Sequence, residues 1–297
     1  MSGMDDAGAV SRRTLLLGGL GGAAAGLLAG GVVYEWDNPR FVRLRGGCGD
    51  TPPVPHSDYR VVTGTFDSDA MGASVPWSVA LPPGHQAGDG TPLVLCLTGL
   101  GDGPDVVMNG IGFPGFATAA GLRLAFAAPG GGGNLYWHPR ADGRDPLGWA
   151  TDEFLPMVEK RFGVGGGANR RGVMGWSMGG AGALLVAQQR PDLARAAVAL
   201  SPAVYPSYGA ARSGHDYTFD SAQDWQRYGV WPHLDELAGA AVRIDCGGAD
   251  PFAPTARRLL DRIPGAVGGI GSGCHDEGFW RRSAPAALRF LAAHLSG

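Results

Sequence analysis

From residue 58 onward, short apolar runs alternate with longer segments whose apolar residues recur at helical spacing. A short buried run predicts a strand, and a longer periodic segment predicts a helix. This alternation is typical of an α/β fold with a mostly parallel central sheet flanked by helices, here with the first two strands as an antiparallel lead-in. Strands are predicted at 59–66, 74–81, 92–98, 122–128, 171–176, 195–200, 241–246 and 266–271, and helices at 105–119, 147–162, 178–189, 252–263 and 280–296.

A serine lies between two glycines where one predicted strand ends and a predicted helix begins. The stretch at 175–179 is Gly-Trp-Ser-Met-Gly. A chain with 52 glycines can contain this pattern by chance, so the pattern alone is a weak signal. Its position between a strand and a helix is the evidence for a nucleophile. A nucleophilic serine on such a sharp turn has strained backbone angles that require small neighbours, and the turn exposes its hydroxyl above the sheet. Ser177 is therefore the predicted nucleophile of a serine hydrolase.

An acid and a histidine follow the serine in the order that a catalytic triad of this kind requires. Asp250 stands just beyond the apolar run 241–246, and His275 lies just ahead of the last predicted helix. Of the seven histidines, this one alone follows both the serine turn and a strand-end acid. Asp250 is the predicted acid and His275 the predicted base. The neighbouring carboxylates Asp245, Asp276 and Glu277 remain alternatives for the acid.

The oxyanion formed during acyl transfer needs hydrogen-bond donors, commonly the amide after the nucleophile and one from an early strand-to-helix loop. The most strand-like run, 91–97, opens into the glycine-rich loop 98–103. The backbone amides of Leu100 and Met178 are therefore the predicted oxyanion hole. A phosphate-binding loop is disfavoured because no Gly-Lys-Ser/Thr sequence follows the glycines.

Four motifs occur in a specific order along the chain. They are Leu-Thr-Gly-Leu at 97–100, Gly-Trp-Ser-Met-Gly-Gly at 175–180, Asp-Cys-Gly-Gly-Ala-Asp at 245–250 and His-Asp-Glu-Gly-Phe-Trp at 275–280. Together they resemble the esterase family of α/β-hydrolases, which includes esterase D (S-formylglutathione hydrolase) and the mycobacterial antigen 85 mycolyltransferases. The resemblance covers residues 58 to 295 and implies the α/β-hydrolase fold. It also implies the same triad and the same two oxyanion amides.

Three positions depart from the antigen 85 branch of that family. Thr98 and Gly101 stand where those proteins have an Asp and an Arg associated with sugar binding, so no charged group beside this loop is expected to hold a disaccharide. Glu277 replaces the family's aromatic residue two positions after the histidine, whereas Trp280 is retained. These departures favour an esterase over a mycolyltransferase.

The N-terminus carries the pattern of a targeting segment. Arg12 and Arg13 directly precede an apolar run that is rich in glycine and alanine, as in a twin-arginine export signal. Residues 1–35 are predicted to be an export signal or N-terminal anchor, with 14–34 as the stretch that would hold the chain to a membrane. Proline and glycine mark 36–57 as a linker or arm before a catalytic domain at 58–297.

The charge composition limits the classes of partner that the protein is expected to bind. The formal net charge of −3 and the pI near 6.1 provide no basic patch, so nucleic acid is excluded as an expected partner. The expected partner is a small-molecule or lipid acyl ester, and no cofactor or metal is implied.

Four cysteines allow three complete pairings. A disulfide is expected between Cys246 and Cys274 at the tops of the last two strands, with Cys96 buried in a core strand.

Aromatic residues are concentrated between 205 and 231, more than a plain connection needs. This segment is predicted to cap the site and bind the acyl group, with Trp176, Trp225 and Trp231 as substrate-binding residues. The predicted function is that of an exported serine esterase that hydrolyses carboxylic esters through an acyl-enzyme. An acyltransferase of the antigen 85 type and a non-catalytic cell-wall protein of hydrolase fold remain the alternatives.

Overall fold

A computed structural model describes residues 47–295. Within them the sheet has eight strands. Every predicted strand is present, with bounds that differ from the prediction by a few residues at most, because short apolar runs between polar breaks are a strong strand signal. The strands are β1 (Arg60–Ser68), β2 (Ala73–Leu81), β3 (Leu93–Leu97), β4 (Ala125–Pro129), β5 (Arg171–Trp176), β6 (Ala196–Leu200), β7 (Ala241–Gly247) and β8 (Val267–Gly271).

The sheet is mostly parallel, as predicted. The strand order is β1-β2-β4-β3-β5-β6-β7-β8. β1 pairs with β2, and β2 with β4, in antiparallel register, whereas all the remaining pairs are parallel. β3 and β5 are neighbours in the middle of the sheet, so the loops that follow them leave the same edge side by side.

The five predicted helices are present, and three further helical segments occur in the aromatic region that the sequence left without elements. The helix predicted at 280–296 begins earlier, at Glu277, because the Asp276 side chain accepts a hydrogen bond from the Phe279 amide and caps the first turn. The helices are α1 (Phe113–Ala119), α2 (Leu155–Phe162), α3 (Met178–Gln189), α4 (Tyr208–Gly214), α5 (Ala222–Tyr228), α6 (Ala253–Arg262) and α7 (Glu277–Leu295), with π-helical turns at Val106–Gly110 and Trp149–Phe154 and a 3₁₀ segment at Trp231–Gly239.

Two apolar clusters cover the two faces of the sheet. The alternation in β3 shows the division, because Leu93, Leu95 and Leu97 belong to one cluster while Val94 and Cys96 belong to the other. Helices α3 and α6 pack on the first face, and α1 and α7 pack on the second. Cys96 is fully buried and free, as expected for a small core residue.

The described part of the predicted linker packs on the folded domain. The guanidinium of Arg282 on α7 donates to the carbonyl oxygens of Cys48, at 2.6 Å, and Asp50. Arg281 donates to the carbonyl oxygen of Pro52 at 3.1 Å. Residues 48–52 are thus held against the last helix, and 47–57 belong to the same compact unit as the rest of the described chain.

The predicted export signal at 1–35, including Arg12 and Arg13, lies outside the described residues, and so do residues 36–46 of the predicted linker. Among residues 47–295, no helix has both the length and the apolar character needed to cross a membrane.

Candidate active site

Ser177 lies on a sharp turn between β5 and α3. Its backbone angles, φ 54° and ψ −121°, are unusual for a residue with a side chain and correspond to the strained turn that the sequence predicts. A Cβ atom at Gly179 would lie 2.0 Å from the carbonyl oxygen of Leu97, which explains why only glycine fits there. The Ser177 amide donates to the Leu200 carbonyl oxygen at 2.9 Å, so the end of β6 fixes the turn.

Three side chains from different loops form a continuous hydrogen-bonded chain. The Ser177 hydroxyl donates to Nε2 of His275 at 2.8 Å, and Nδ1 of the imidazole donates to Oδ2 of Asp250, also at 2.8 Å. The Asp250 side chain is buried, and its other oxygen accepts from the Phe252 amide at 2.8 Å. The carboxylate is therefore fixed in orientation and holds the ring with Nε2 toward the serine.

The other three carboxylates that were alternatives for the acid have different partners. Asp245 pairs with Arg243 at 2.6 Å, and Glu277 pairs with Arg281 at 2.9 Å. Asp276 caps the first turn of α7. Of the four candidate acids, Asp250 is the one that is hydrogen-bonded to the His275 ring.

The residues predicted to supply the two oxyanion amides adjoin Ser177 or its cavity. Leu100 lines the cavity that contains Ser177, and the Met178 amide is the first of α3, where a helix has no intrahelical acceptor. The loop that carries Leu100 is fixed from below, since the Trp137 indole donates to the Thr98 carbonyl oxygen at 3.1 Å. A fixed loop of this kind suits an oxyanion hole, because donors that are already oriented need no rearrangement during the reaction.

A cavity of about 780 Å³ opens over Ser177 and His275. Trp176 lines it, as predicted. Trp225 and Trp231 do not, and their predicted role in substrate binding is wrong. The Trp225 indole donates to the Tyr205 carbonyl oxygen at 3.3 Å, and Trp231 packs beneath the guanidinium of Arg258, whose central carbon lies 4.5 Å from the ring centroid. Both rings support the segment from behind, where their large apolar surface is used in packing.

Other aromatic side chains form the cavity wall instead. Tyr205 comes from the aromatic segment, Phe252 follows Asp250 on the acid loop, and Tyr136 comes from the loop after β4. The Tyr136 and Tyr205 hydroxyls are 3.3 Å apart, and burial is the main cause that raises the pKa of both. Phe252 could have been recognised from its position two residues after the acid, whereas the sequence carries no signal that selects Tyr136.

The disulfide joins Cys48 to Cys274, not Cys246 to Cys274 as predicted. Cys246 is free and lies in the apolar cluster on one face of the sheet, where burial raises the pKa of its thiol. Cys274 lies on the loop after β8, and residues 47–52 run beside that loop because α7 holds them there. The bond therefore ties the N-terminal segment to the residue next to His275.

Among the described residues, one group of three potential metal ligands has its ligand atoms within 4.8 Å of one another, formed by Cys48, Cys274 and Asp276. A metal site of this type would use thiolates. The two sulfur atoms are joined to each other, so this group does not provide them.

We expect reduction of the Cys48–Cys274 bond to lower the stability of the protein by about 2–5 kcal/mol, because the cross-link restricts the unfolded chain. The measurement is urea unfolding with and without a reductant. The control is the double variant Cys48→Ser, Cys274→Ser, whose unfolding midpoint should not respond to the reductant. Equal responses of the two proteins would contradict the assigned pairing.

Comparison with known proteins agrees with this geometry. A family model described as "Putative esterase" matches residues 147–263, which include Ser177 and Asp250. The match covers less than half of the chain and supports a hydrolase enzyme. The predicted resemblance to this family is therefore confirmed, over the part of the chain that the match covers.

Solved structures show that the chain has the α/β-hydrolase fold. An S-formylglutathione hydrolase from Agrobacterium tumefaciens matches with a TM-score of 0.68 and 19% identity, over 81% of this chain and 97% of that one. MPT51 of Mycobacterium tuberculosis matches with a TM-score of 0.64 and 20% identity, over 81% and 100%. A ferulic acid esterase from Anaeromyces mucronatus matches with a TM-score of 0.62 and 19% identity, over 84% and 96%.

Proposed function

We propose that this protein is an exported serine esterase that hydrolyses carboxylic esters through an acyl-enzyme. The observation that carries the proposal is the continuous pair of 2.8 Å hydrogen bonds from Ser177 through His275 to Asp250. A nucleophile activated by an oriented base is what acyl transfer requires, and this arrangement lies at the floor of an open, largely apolar cavity.

In the proposed reaction the Ser177 oxygen attacks the ester carbonyl while Nε2 of His275 accepts the serine proton. The amides of Leu100 and Met178 stabilise the negative oxygen of the tetrahedral intermediate. The imidazolium then gives its proton to the leaving alcohol, and Asp250 stabilises the charged ring throughout. Water attacks the acyl-enzyme with His275 again as the base, which releases the acid and restores the serine. No step calls for a cofactor or a metal.

Hydrolysis is favoured over transfer to a sugar by the oxyanion loop. Thr98 is fully buried, and its hydroxyl donates to the carbonyl oxygen of Asp102 at 3.1 Å, so it does not reach a bound acceptor. Gly101, at the other departing position, offers no side chain. Neither position therefore provides the charged group associated with sugar binding in the antigen 85 branch, which favours water as the acceptor.

Export is supported by the disulfide. Such bonds persist in oxidising compartments outside the cytoplasm and are rare within it. The Cys48–Cys274 pairing is therefore what an exported protein would carry, and we propose the arginine pair at residues 12 and 13 as the signal that directs it.

The experiment that tests the proposed function is labelling with a fluorophosphonate, which reacts with an activated serine. We expect mass spectrometry to find the adduct on Ser177, and Ser177→Ala to remove both the label and the hydrolysis of acetate esters. Ser201→Ala is the matched control, because Ser201 also ends a strand with positive φ, here 47°, but is fully buried. Labelling that persists in Ser177→Ala would contradict the proposal.

A further inference from the structure

One carboxylate lines the cavity over Ser177, and it belongs to Asp102 on the oxyanion loop. The sequence led us to expect no charged group beside this loop, because the positions compared were 98 and 101. That expectation is wrong, because the residue after position 101 is Asp102 and it lines the cavity. The turn after Leu100 brings Asp102 back toward the cavity, where its amide donates to the Gly99 carbonyl oxygen at 3.2 Å.

The partner of Asp102 on the protein is neutral. The Trp176 indole donates to Oδ2 of Asp102 at 2.9 Å. No lysine or arginine within residues 47–295 forms an ion pair with this carboxylate, and none lines the cavity. Burial raises the pKa of Asp102, and the nearby charge of Glu277 raises it further. The carboxylate thus faces the cavity without a positive charge to offset its own.

A second indole adjoins this pair. Trp280 on α7 is half-buried and lines the cavity, and its ring packs against the fully buried Trp176 ring, with centroids 6.1 Å apart. Trp280 also contacts His275 edge-on at 5.3 Å. Asp102 and Trp280 therefore both border the cavity, and Trp280 lies next to the imidazole that protonates the leaving alcohol.

We propose that Asp102, held by Trp176, and Trp280 form a subsite for a positively charged ammonium group on the alcohol portion of the ester. The inference rests on the proposed esterase function. A carboxylate whose protein partner is a neutral indole gains most from a ligand that carries a positive charge. Indole faces attract an ammonium ion through their π electrons, most strongly of the aromatic side chains. Val204, Tyr205 and Phe252 also line the cavity, and their apolar surface suits the acyl group.

The proposal is tested with two esters of similar shape. One is acetylcholine, and the other is 3,3-dimethylbutyl acetate, the neutral analogue in which a carbon atom replaces the charged nitrogen of acetylcholine. We expect kcat/KM of the wild type to favour the charged ester by about tenfold or more. Asp102→Asn keeps the size of the side chain and an oxygen that can accept from Trp176. It should reduce the ratio of the two kcat/KM values by about tenfold.

Asp105→Asn is the matched control. Asp105 lies three residues further along the same loop, is exposed, and contacts Asn109 outside the cavity. This variant should leave the ratio as in the wild type. A second measurement is inhibition by tetramethylammonium of the hydrolysis of the neutral ester, which should be competitive in the wild type and weaker in Asp102→Asn. Circular dichroism of the variants establishes that they are folded.

The outcomes separate the two proposals. A wild type that hydrolyses neither ester contradicts the proposed function and the subsite with it. Hydrolysis of both esters with equal efficiency overturns the subsite alone, as does a ratio that Asp102→Asn leaves unchanged. A preference for a glycerol ester over both, lost in Asp102→Asn, would also overturn it and assign the carboxylate to hydroxyl groups.

Discussion

We expect His275→Ala to lower kcat for a simple acetate ester by about 10⁶-fold, the size of effect seen when a triad member that acts as a unit with the serine is removed. The reason is that the Ser177 hydroxyl, which donates to Nε2 at 2.8 Å, then has no base to accept its proton. The measurement is steady-state hydrolysis with purified variant and wild type. KM should change far less than kcat, since the imidazole acts in the transition state.

His294→Ala provides the control for this result. His294 lies near the end of α7, is exposed, and contacts only the Phe290 carbonyl oxygen and ring among the partners described. It should retain wild-type kcat. Loss of activity in both variants to a similar degree would indicate a general effect on α7 and contradict the role assigned to His275.

We expect Asp250→Asn to lower kcat by about 10⁴-fold. The amide keeps the shape of the carboxylate but can donate to Nδ1, and this favours the tautomer that places a hydrogen on Nε2, facing the serine. The imidazolium also loses the negative charge that stabilises it. The measurement is kcat across a range of pH, with folding checked by thermal unfolding.

Glu277→Gln is the comparison for the acid. Glu277 is a carboxylate only two residues after His275, but it pairs with Arg281 and not with the histidine. With a neutral acetate ester, it should keep most of the wild-type rate. If this variant lost as much activity as Asp250→Asn did, the assignment of the acid would have to be revised.

The sheet and the order of the site residues could be predicted from the sequence because their signals are local. A run such as 241–246 is apolar, ends in glycines and is followed by an acid, and the structure places Asp250 at that edge as expected. The serine turn is similar, since the glycines that it requires adjoin Ser177 directly. In each case the residues that decide the local structure lie within a few positions of the functional one.

The wrong predictions concern contacts between distant segments. Cys48 pairs with Cys274 because Arg281 and Arg282 hold residues 48–52 beside the last helix, a relation that residue spacing does not reveal. Trp225 is aromatic and lies in the expected segment, but its indole donates to the Tyr205 carbonyl oxygen and it is not among the residues that line the cavity. Whether such a side chain faces a cavity depends on the packing of α5 against the domain, which composition does not determine.

The disulfide can form only after almost the whole chain has been synthesised, so the Cys48 thiol reports whether a molecule is complete. Cys48 and Cys274 are separated by 226 positions, so nearly the whole polypeptide must be synthesised before the bond can form. A molecule that ends before residue 274 keeps Cys48 as a free thiol beside a missing histidine loop. Alkylation of Cys48 in an unreduced sample therefore measures the fraction of molecules that are truncated or not yet oxidised.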